Sequence, residues 1–169
     1  MRPVDAVTVT TCVRTDPATA FRLFTEDVDV WWRRGPAYRF GGDRTGAMRF
    51  EPYVGGRFLE EFPDDAGAAF EVGRILVWEP GARLVFGWRG RDFAPGETTE
   101  VEVRFEAEGA GTRVTVVHRG WDRLPATHPA KQGLTGPAFT GLVGLRWADH
   151  LRAFGACAGV TGGTDGAAP

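Results

Sequence analysis

Residues 100–120, EVEVRFEAEGAGTRVTVVHRG, carry the clearest secondary-structure pattern in the chain. Apolar and polar side chains alternate in both halves of this stretch, and glycines between the halves mark a tight turn. The inward parity holds Val101, Val103 and Phe105 in the first half and Val114, Val116 and His118 in the second. Strict alternation is typical of strands with one buried face. The stretch therefore predicts an antiparallel hairpin whose buried face carries a histidine.

Strand patterns of the same kind continue on both sides of this hairpin. Segments rich in β-branched or aromatic residues are separated by turns that contain Gly, Pro or Asp. The further predicted strands lie at residues 4–14, 47–51, 57–62, 70–79 and 83–89. Because the connections between the later strands are short, we expect antiparallel pairing throughout.

Helical patterns stand before and after the block of strands. Asp16 followed by Pro17 is typical of a helix start, and a second short helix is predicted at residues 28–32. A long helix is predicted to open at Pro137 and to end near Ala156, with an apolar stripe along one face. That stripe comprises Val143, Trp147, Leu151 and Phe154, widened by Leu142 and Leu145.

The composition indicates one globular domain and excludes several classes of partner. For a chain of 169 residues we expect a single domain at 1–158 and a disordered tail at 159–169. A net charge of −2 argues against a nucleic-acid partner, because phosphate binding needs a local excess of basic side chains. No apolar run approaches the ~20 residues that span a bilayer, so we expect no membrane span and a cytoplasmic protein.

Side chains for covalent or metal chemistry are scarce. The chain has no serine, and its two cysteines, Cys12 and Cys157, are expected to be buried free thiols. Its three histidines lack metal-ligand spacing, so neither a metal nor another cofactor is predicted. An enzyme built from this chain would depend on substrate orientation and acid–base groups rather than on a nucleophile.

Four motifs resemble those of one known family. Residues 51–58 (EPYVGGRF) have paired glycines before a basic and an aromatic residue, and residues 73–88 (GRILVWEPGARLVFGW) form a Pro-Gly hairpin that ends in tryptophan. Residues 111–120 (GTRVTVVHRG) end in His-x-Gly, and Trp147 is followed by Leu151 in the closing helix. In this order the motifs resemble the Hsp-90 ATPase activator homologue family of the START-like, or SRPBCC, superfamily.

The resemblance implies an α+β helix-grip fold like that of the birch-pollen allergens. In it, a curved antiparallel sheet of about seven strands wraps a long C-terminal helix, and two short helices follow the first strand. Members of the superfamily differ in activity, so the fold does not decide the function. We predict binding of a small hydrophobic or aromatic molecule between sheet and helix. The alternatives are a polyketide cyclase-, aromatase- or dehydratase-like enzyme and an Hsp-90 activator-like interaction module, as a monomer or a homodimer.

Candidate ligand-binding residues are the large side chains that are predicted to face the interior. They are Trp31, Trp32, Phe50, Phe58, Phe86, Trp88, Phe105, Val143 and Trp147. Neighbouring side chains on a helix point about 100° apart. One of Trp31 and Trp32 can therefore plug the core while the other faces the cavity mouth or solvent. The alternative is that both rings cap the core.

Four polar side chains are candidates for ligand contacts or acid–base chemistry. His118, Glu60 and Arg74 share the parity of apolar neighbours, and His150 adjoins the helix stripe. His118 is either a hydrogen-bonded structural histidine or a polar group in the cavity. Because an isolated buried charge is costly, Glu60 and Arg74 either form a cavity pair or are separated by a β-bulge near Gly73.

Overall fold

One antiparallel sheet and one long helix make up most of the molecule. The computed structural model describes residues 6–161, with side chains described as far as residue 159. The strands are Val7–Val13 (β1), Ala47–Phe50 (β2), Arg57–Glu61 (β3), Ala69–Glu79 (β4), Arg83–Trp88 (β5), Thr99–Glu108 (β6) and Gly111–Arg119 (β7). The helices are Pro17–Glu26 (α1), Val28–Trp31 (α2) and Gly136–Thr161 (α3), with short 3-10 turns at Trp121–Arg123 and Pro129–Lys131. The predicted order of elements is confirmed.

The strand order is β1-β7-β6-β5-β4-β3-β2. Consecutive strands pair from β2 to β7, and β1 pairs with β7, all of them antiparallel. The sheet curls into a half-barrel around α3, which is the arrangement of the helix-grip fold. The hydrophobic core fills the concave side, between the sheet and the helices.

The hairpin of β6 and β7 confirms the alternation in the sequence. Val101 lies opposite His118 in the register of the two strands, and Val103 lies opposite Val116. All four side chains are buried, so the predicted inward face is the face that packs in the core. His118 is thus held inside the molecule by a strand whose other inward side chains are apolar.

Helix α1 closes one end of the interior with aromatic rings. It begins as predicted, because Asp16 accepts a hydrogen bond from the backbone N–H of Thr19 at 3.0 Å. Phe21 and Phe24 on its buried face contact Phe105 of β6, with ring centroids 5.3 and 5.6 Å away. These contacts fill the space between α1 and the sheet.

Helix α3 presents the predicted apolar stripe to the interior. Buried side chains along it include Val143, Trp147, Leu151 and Phe154. Leu145 is 68% exposed, so the prediction that it widens the stripe is wrong. Two residues correspond to about 200° around a helix, which places Leu145 opposite its neighbours in the stripe. The helix runs to Thr161, beyond the predicted end near Ala156. Residues 162–169 lie outside the described residues, and the division into domain and tail stays a prediction.

Strand β4 contains a bulge that turns Arg74 outward. Its register shifts in the pairing with both neighbouring strands. As a result Val72 and Ile75 are both buried although they lie three residues apart, and Arg74 is exposed. Gly73 is required there, because a Cβ would lie 1.7 Å from the carbonyl oxygen of Gly87 on β5. An inserted residue reverses the parity of the residues beyond it.

The expected cavity pair of Glu60 and Arg74 is therefore wrong, and the alternative of a bulge near Gly73 is confirmed. Arg74 forms an ion pair with Glu71 at 2.8 Å and donates to the carbonyl of Gly55 at 3.1 Å. Glu60 stays fully buried on the inner side of β3. The two side chains thus lie on opposite faces of the sheet.

Two expectations from the sequence concern thiols and membranes. Cys12 lies exposed on β1, so the prediction that both thiols are buried is wrong for this residue. Its parity is opposite to that of the buried Val13 on the same strand. Cys157 is half-buried on α3, and no disulfide joins the two cysteines. In residues 6–161, no helix has the length and apolar character needed to cross a bilayer.

Candidate functional site

A cavity of about 710 Å³ lies between the sheet and α3 at one end of the molecule. Its wall is built from the ends of β5 and β7, from α3, and from loops at residues 36–40, 90–93 and 129–132. Several of these loop residues are exposed, so the cavity opens to solvent on that side. Cavities of this size hold drug-sized organic molecules.

Aromatic side chains form much of the wall. They are Trp32, Tyr38, Phe40, Trp88, Phe93, Trp121, Phe139 and Trp147, joined by the imidazoles of His118 and His150. Four of the six tryptophans in the chain border this one cavity. Flat, polarisable ring faces favour contact with planar apolar or aromatic molecules.

Several predicted ligand contacts pack together in the core instead. The rings of Phe50 and Phe58 stack with centroids 4.1 Å apart, and Phe86 contacts both edge-on at 5.4 and 5.2 Å. These rings and Phe105 are at most 6% exposed, and none of them borders the cavity. These four predicted ligand-binding residues are thus core residues that do not reach the cavity.

The adjacent tryptophans at the end of α2 have different surroundings. Trp31 packs on Phe24, with ring centroids 4.6 Å apart, and its indole N–H donates to the Phe24 carbonyl at 3.2 Å. Trp32 stands in the cavity wall, contacts Trp147 edge-on at 5.7 Å and donates to the carbonyl of Tyr38 at 3.0 Å. One ring therefore plugs the core and the other faces the cavity. A role of Trp32 in ligand entry stays a prediction.

His118 belongs to a directed chain of hydrogen bonds. The indole N–H of Trp147 donates to His118 Nδ1 at 3.0 Å, and His118 Nε2 lies 2.7 Å from the hydroxyl of Thr99. Because an indole nitrogen can only donate, Nδ1 must be unprotonated and Nε2 carries the hydrogen. The Thr99 hydroxyl in turn donates to the carbonyl of Trp88 at 2.9 Å. This arrangement favours the structural interpretation of His118.

His150 presents a fixed N–H donor to the cavity. Its Nδ1 accepts the backbone N–H of Arg33 at 3.2 Å, so the ring hydrogen is on Nε2. Burial lowers the pKa of His150 to about 3, with a further contribution from the charges of Arg33 and Arg39. The ring lies on Trp32 with centroids 4.0 Å apart. His150 is therefore neutral at physiological pH, and its Nε2–H can donate but not accept a hydrogen bond.

Residues 33–46, here called the cover loop, fold over the cavity and are anchored from beneath. Arg39 is only 8% exposed and forms an ion pair with Asp29 at 2.8 Å. Its guanidinium also donates to the carbonyls of Trp32, Arg33 and Gly46. The backbone N–H of Phe40 donates to Glu60 Oε2 at 2.7 Å, which gives that buried carboxyl group a structural role. These bonds hold the aromatic side chains of the loop in the cavity wall.

The predicted site residues divide into two groups. Those that border the cavity are Trp32, Trp88, His118, Val143, Trp147 and His150. Those that do not are Trp31, Phe50, Phe58, Glu60, Arg74, Phe86 and Phe105. Sequence reasoning missed the aromatic residues that reach the wall from irregular segments or from the start of α3. They are Tyr38, Phe40, Phe93, Trp121 and Phe139. Their only signal was aromatic content within Gly- and Pro-rich segments, where strand parity gives no direction.

Within the described residues, no three side chains of His, Cys, Asp or Glu come close enough together to hold a metal ion. The cavity is thus defined by aromatic rings, N–H donors and arginines. Sheet, clasped helix and intervening cavity together are those of a START-like domain of the helix-grip class.

Comparison with known proteins identifies the family. The family model described as activator of Hsp90 ATPase homolog 1-like protein matches residues 14–142, about three quarters of the chain. The chain belongs to this family. Comparison with curated proteins finds no significant match.

Solved structures support the fold at low sequence identity. Protein MLL2253 from Mesorhizobium loti is 18% identical, with a TM-score of 0.62 over 95% of this chain and 98% of that one. The Aha1 dimer from Colwellia psychrerythraea is 14% identical, with a TM-score of 0.62 over 94% and 98% of the two chains. DynU16, from the dynemicin biosynthetic locus, is 18% identical, with a TM-score of 0.61 over 91% of this chain and 47% of that one. At such identities the similarity shows the shared fold alone.

Proposed function

We propose that the protein binds a small hydrophobic or aromatic molecule in the cavity between the sheet and α3. The observation that carries the proposal is a ring-lined space of about 710 Å³ beside a core of buried side chains. A space of this size that opens to solvent and is lined by aromatic rings with a few polar groups is the usual form of a ligand site. The origin of the similar DynU16 structure in a biosynthetic locus is consistent with a small-molecule ligand.

The acid–base candidates favour binding over the cyclase- or dehydratase-like alternative. Both ring nitrogens of His118 are engaged by protein groups, and His150 is held as a neutral N–H donor. Glu60 and Arg74 do not border the cavity. None of the four candidates therefore supplies a free base next to a bound molecule. Binding and orientation of a ligand do not need such a base.

Intrinsic fluorescence offers a direct test, because four tryptophans border the cavity. We expect members of a library of aromatic metabolites and lipids to quench this emission in a saturable way and to raise the melting temperature. Native mass spectrometry then gives the stoichiometry, with one molecule per chain expected. A library in which no compound quenches, stabilises or remains bound would overturn the proposal.

A second candidate, regulation of an Hsp90-type chaperone, is favoured by the family match. Its test is the ATPase rate of the chaperone from the same organism, with and without the full chain. We expect a change in rate if this function holds, and an unchanged rate at saturating protein excludes it. Light scattering in the same buffer decides between a monomer and a homodimer.

A further inference from the structure

The polar groups of the cavity wall include more hydrogen-bond donors and cations than acceptors and anions. Its charged side chains are Arg39, Arg91, Asp92 and Arg146. The guanidinium of Arg39 is already paired with Asp29 and hydrogen-bonded to backbone carbonyls. In the part of the chain that the structure describes, Arg91 and Arg146 form no ion pair with a carboxylate. The wall therefore offers two available guanidinium groups against the carboxylate of Asp92.

One neutral N–H group of the wall adds to this excess. His150 is 4% exposed, and no described residue accepts the hydrogen on its Nε2. This nitrogen is not among the side-chain atoms that the protein encloses without a partner, so an acceptor atom can reach it. The indole Nε1–H of Trp121 also has no acceptor among the described residues, but the protein encloses it and a ligand cannot reach it. A ligand that brings an acceptor atom to His150 would complete the hydrogen bonding of this side chain.

We propose that the cavity selects a planar aromatic molecule that carries a carboxylate. The rings of the wall contact its apolar body, and the carboxylate oxygens accept from Arg146 and from the Nε2–H group of His150. This inference rests on the proposed function, because it names the ligand class of the same cavity. Arg146 is half-buried, whereas Arg91 is exposed at the rim, where solvent screens its charge. Arg146 is thus the main determinant of the preference.

Three probes with one ring system test this preference. They are naphthalene-2-carboxylate, naphthalene-2-carboxamide and 2-naphthylmethylammonium, titrated into the full chain and followed by tryptophan emission at pH 7. Charge-assisted hydrogen bonds exceed neutral ones by about 1 kcal/mol or more, so we expect the carboxylate to bind about tenfold more tightly than the amide. The ammonium compound is expected to bind most weakly. Raising the salt concentration should weaken the binding of the carboxylate probe only.

Variants on α3 locate the preference. Arg146→Gln is expected to reduce the carboxylate-to-amide ratio of affinities to about twofold or less, with little change in amide binding. Arg152→Gln is the matched control, because Arg152 lies on the same helix, is paired with Asp149 and does not border the cavity. It is expected to keep the full ratio. Melting curves of both variants verify that each is folded.

Different outcomes separate the inference from the proposed function. Equal affinities for the three probes would overturn the carboxylate preference while leaving the cavity as a binding site. Failure of all three probes, with hits from the wider library, would also overturn the inference alone. Failure of the probes and of the whole library would overturn both. A ratio that falls equally in Arg146→Gln and Arg152→Gln would show that the preference does not arise at Arg146.

Discussion

His150 illustrates how one side chain connects the cavity to the stability of the fold. Its ring is enclosed by Trp32, Tyr38 and Trp147, with centroids 4.0 to 5.5 Å away. Burial and the charge of Arg33 oppose a positive charge on the ring, Asp149 favours it, and Arg39 opposes it. A proton on His150 in the folded protein would have to occupy a buried site beside two arginines. The ring therefore remains a neutral donor well below neutral pH.

The depressed pKa of His150 predicts a loss of stability in acid. Between its ordinary value of 6.5 and about 3, the unfolded chain binds a proton at this residue and the folded chain does not. Stability therefore falls as the pH falls through this window, by about 1.4 kcal/mol per pH unit. His150→Asn does not titrate and keeps an acceptor for the Arg33 N–H. In urea unfolding at pH 6, 5 and 4, the free energy of unfolding of the wild type should fall by this amount per pH unit relative to that of the variant. The difference between the two proteins should be constant from pH 7 to 8, and a constant difference down to pH 4 would contradict the prediction.

The hydrogen-bond chain through His118 predicts a second effect at the residue scale. Thr99→Val removes the hydroxyl that pairs with His118 Nε2 inside the protein. We expect a loss of about 1–3 kcal/mol in the free energy of unfolding. Thr10→Val is the matched control, because Thr10 is exposed on β1, and its effect should stay within about 0.5 kcal/mol. Equal losses in the two variants would show that the chain contributes nothing to stability.

At the scale of elements, the cover loop is anchored by the buried side chain of one of its own arginines, Arg39. Arg39 and Arg34 both form ion pairs with Asp29, but the Arg39 side chain is 7% exposed and that of Arg34 is 62% exposed. Only Arg39 also binds three backbone carbonyls around the loop. The two arginines therefore provide a matched pair of positions with one shared partner.

Replacement of these arginines predicts two very different results. Arg39→Ala leaves buried carbonyl groups without donors and should cost on the order of 3 kcal/mol. Arg34→Ala removes an exposed pair and should cost less than about 1 kcal/mol. Hydrogen exchange of residues 33–46 should accelerate in the first variant and remain unchanged in the second. Unchanged exchange in Arg39→Ala would mean that other contacts hold the loop.

The helices and strands could be predicted from hydrophobic periodicity. When one face is buried, apolar residues recur about every two residues in a strand and about every 3.6 residues in a helix. The alternation at residues 100–120 and the stripe on α3 are examples, and both lie where they were predicted. Arg74 shows the limit of this reasoning, because the bulge at Gly73 reverses the parity of the residues beyond it. A glycine in a strand does not by itself show whether a bulge is present. Sequence reasoning could name the bulge as an alternative but could not choose it.

Seven of the thirteen predicted site residues do not border the cavity, for a related reason. Parity separates inward from outward side chains but does not tell where along the sheet the interior is filled. Phe58 and Trp88 share the inward direction, yet Phe58 stacks in the core and Trp88 borders the cavity. Residues such as Tyr38 and Trp121 reach the wall from irregular segments, and their positions depend on long-range bonds that no local pattern contains. Only three-dimensional packing distinguishes them.

At the scale of the whole molecule, the interior has a closed end and an open end. Phe24, Phe105 and the rings around Phe58 fill the space beneath α1 and α2, whereas the N-terminal half of α3 borders the cavity. Stability and binding are therefore supplied by different parts of one continuous interior. Substitutions that add volume should be tolerated at one end and not at the other, since packed cores resist overpacking.

A pair of identical substitutions tests this division. Val143 borders the cavity, and Val103 on β6 is fully buried in the core. Val143→Phe should place its ring in free space and change the free energy of unfolding by less than about 1 kcal/mol, whereas Val103→Phe should cost about 1–3 kcal/mol. Because the new ring occupies the ligand space, Val143→Phe should also abolish tryptophan quenching by any compound that binds the wild type. Equal destabilisation by the two variants would mean that the space beside Val143 is filled, and undiminished binding by Val143→Phe would place the ligand outside this cavity.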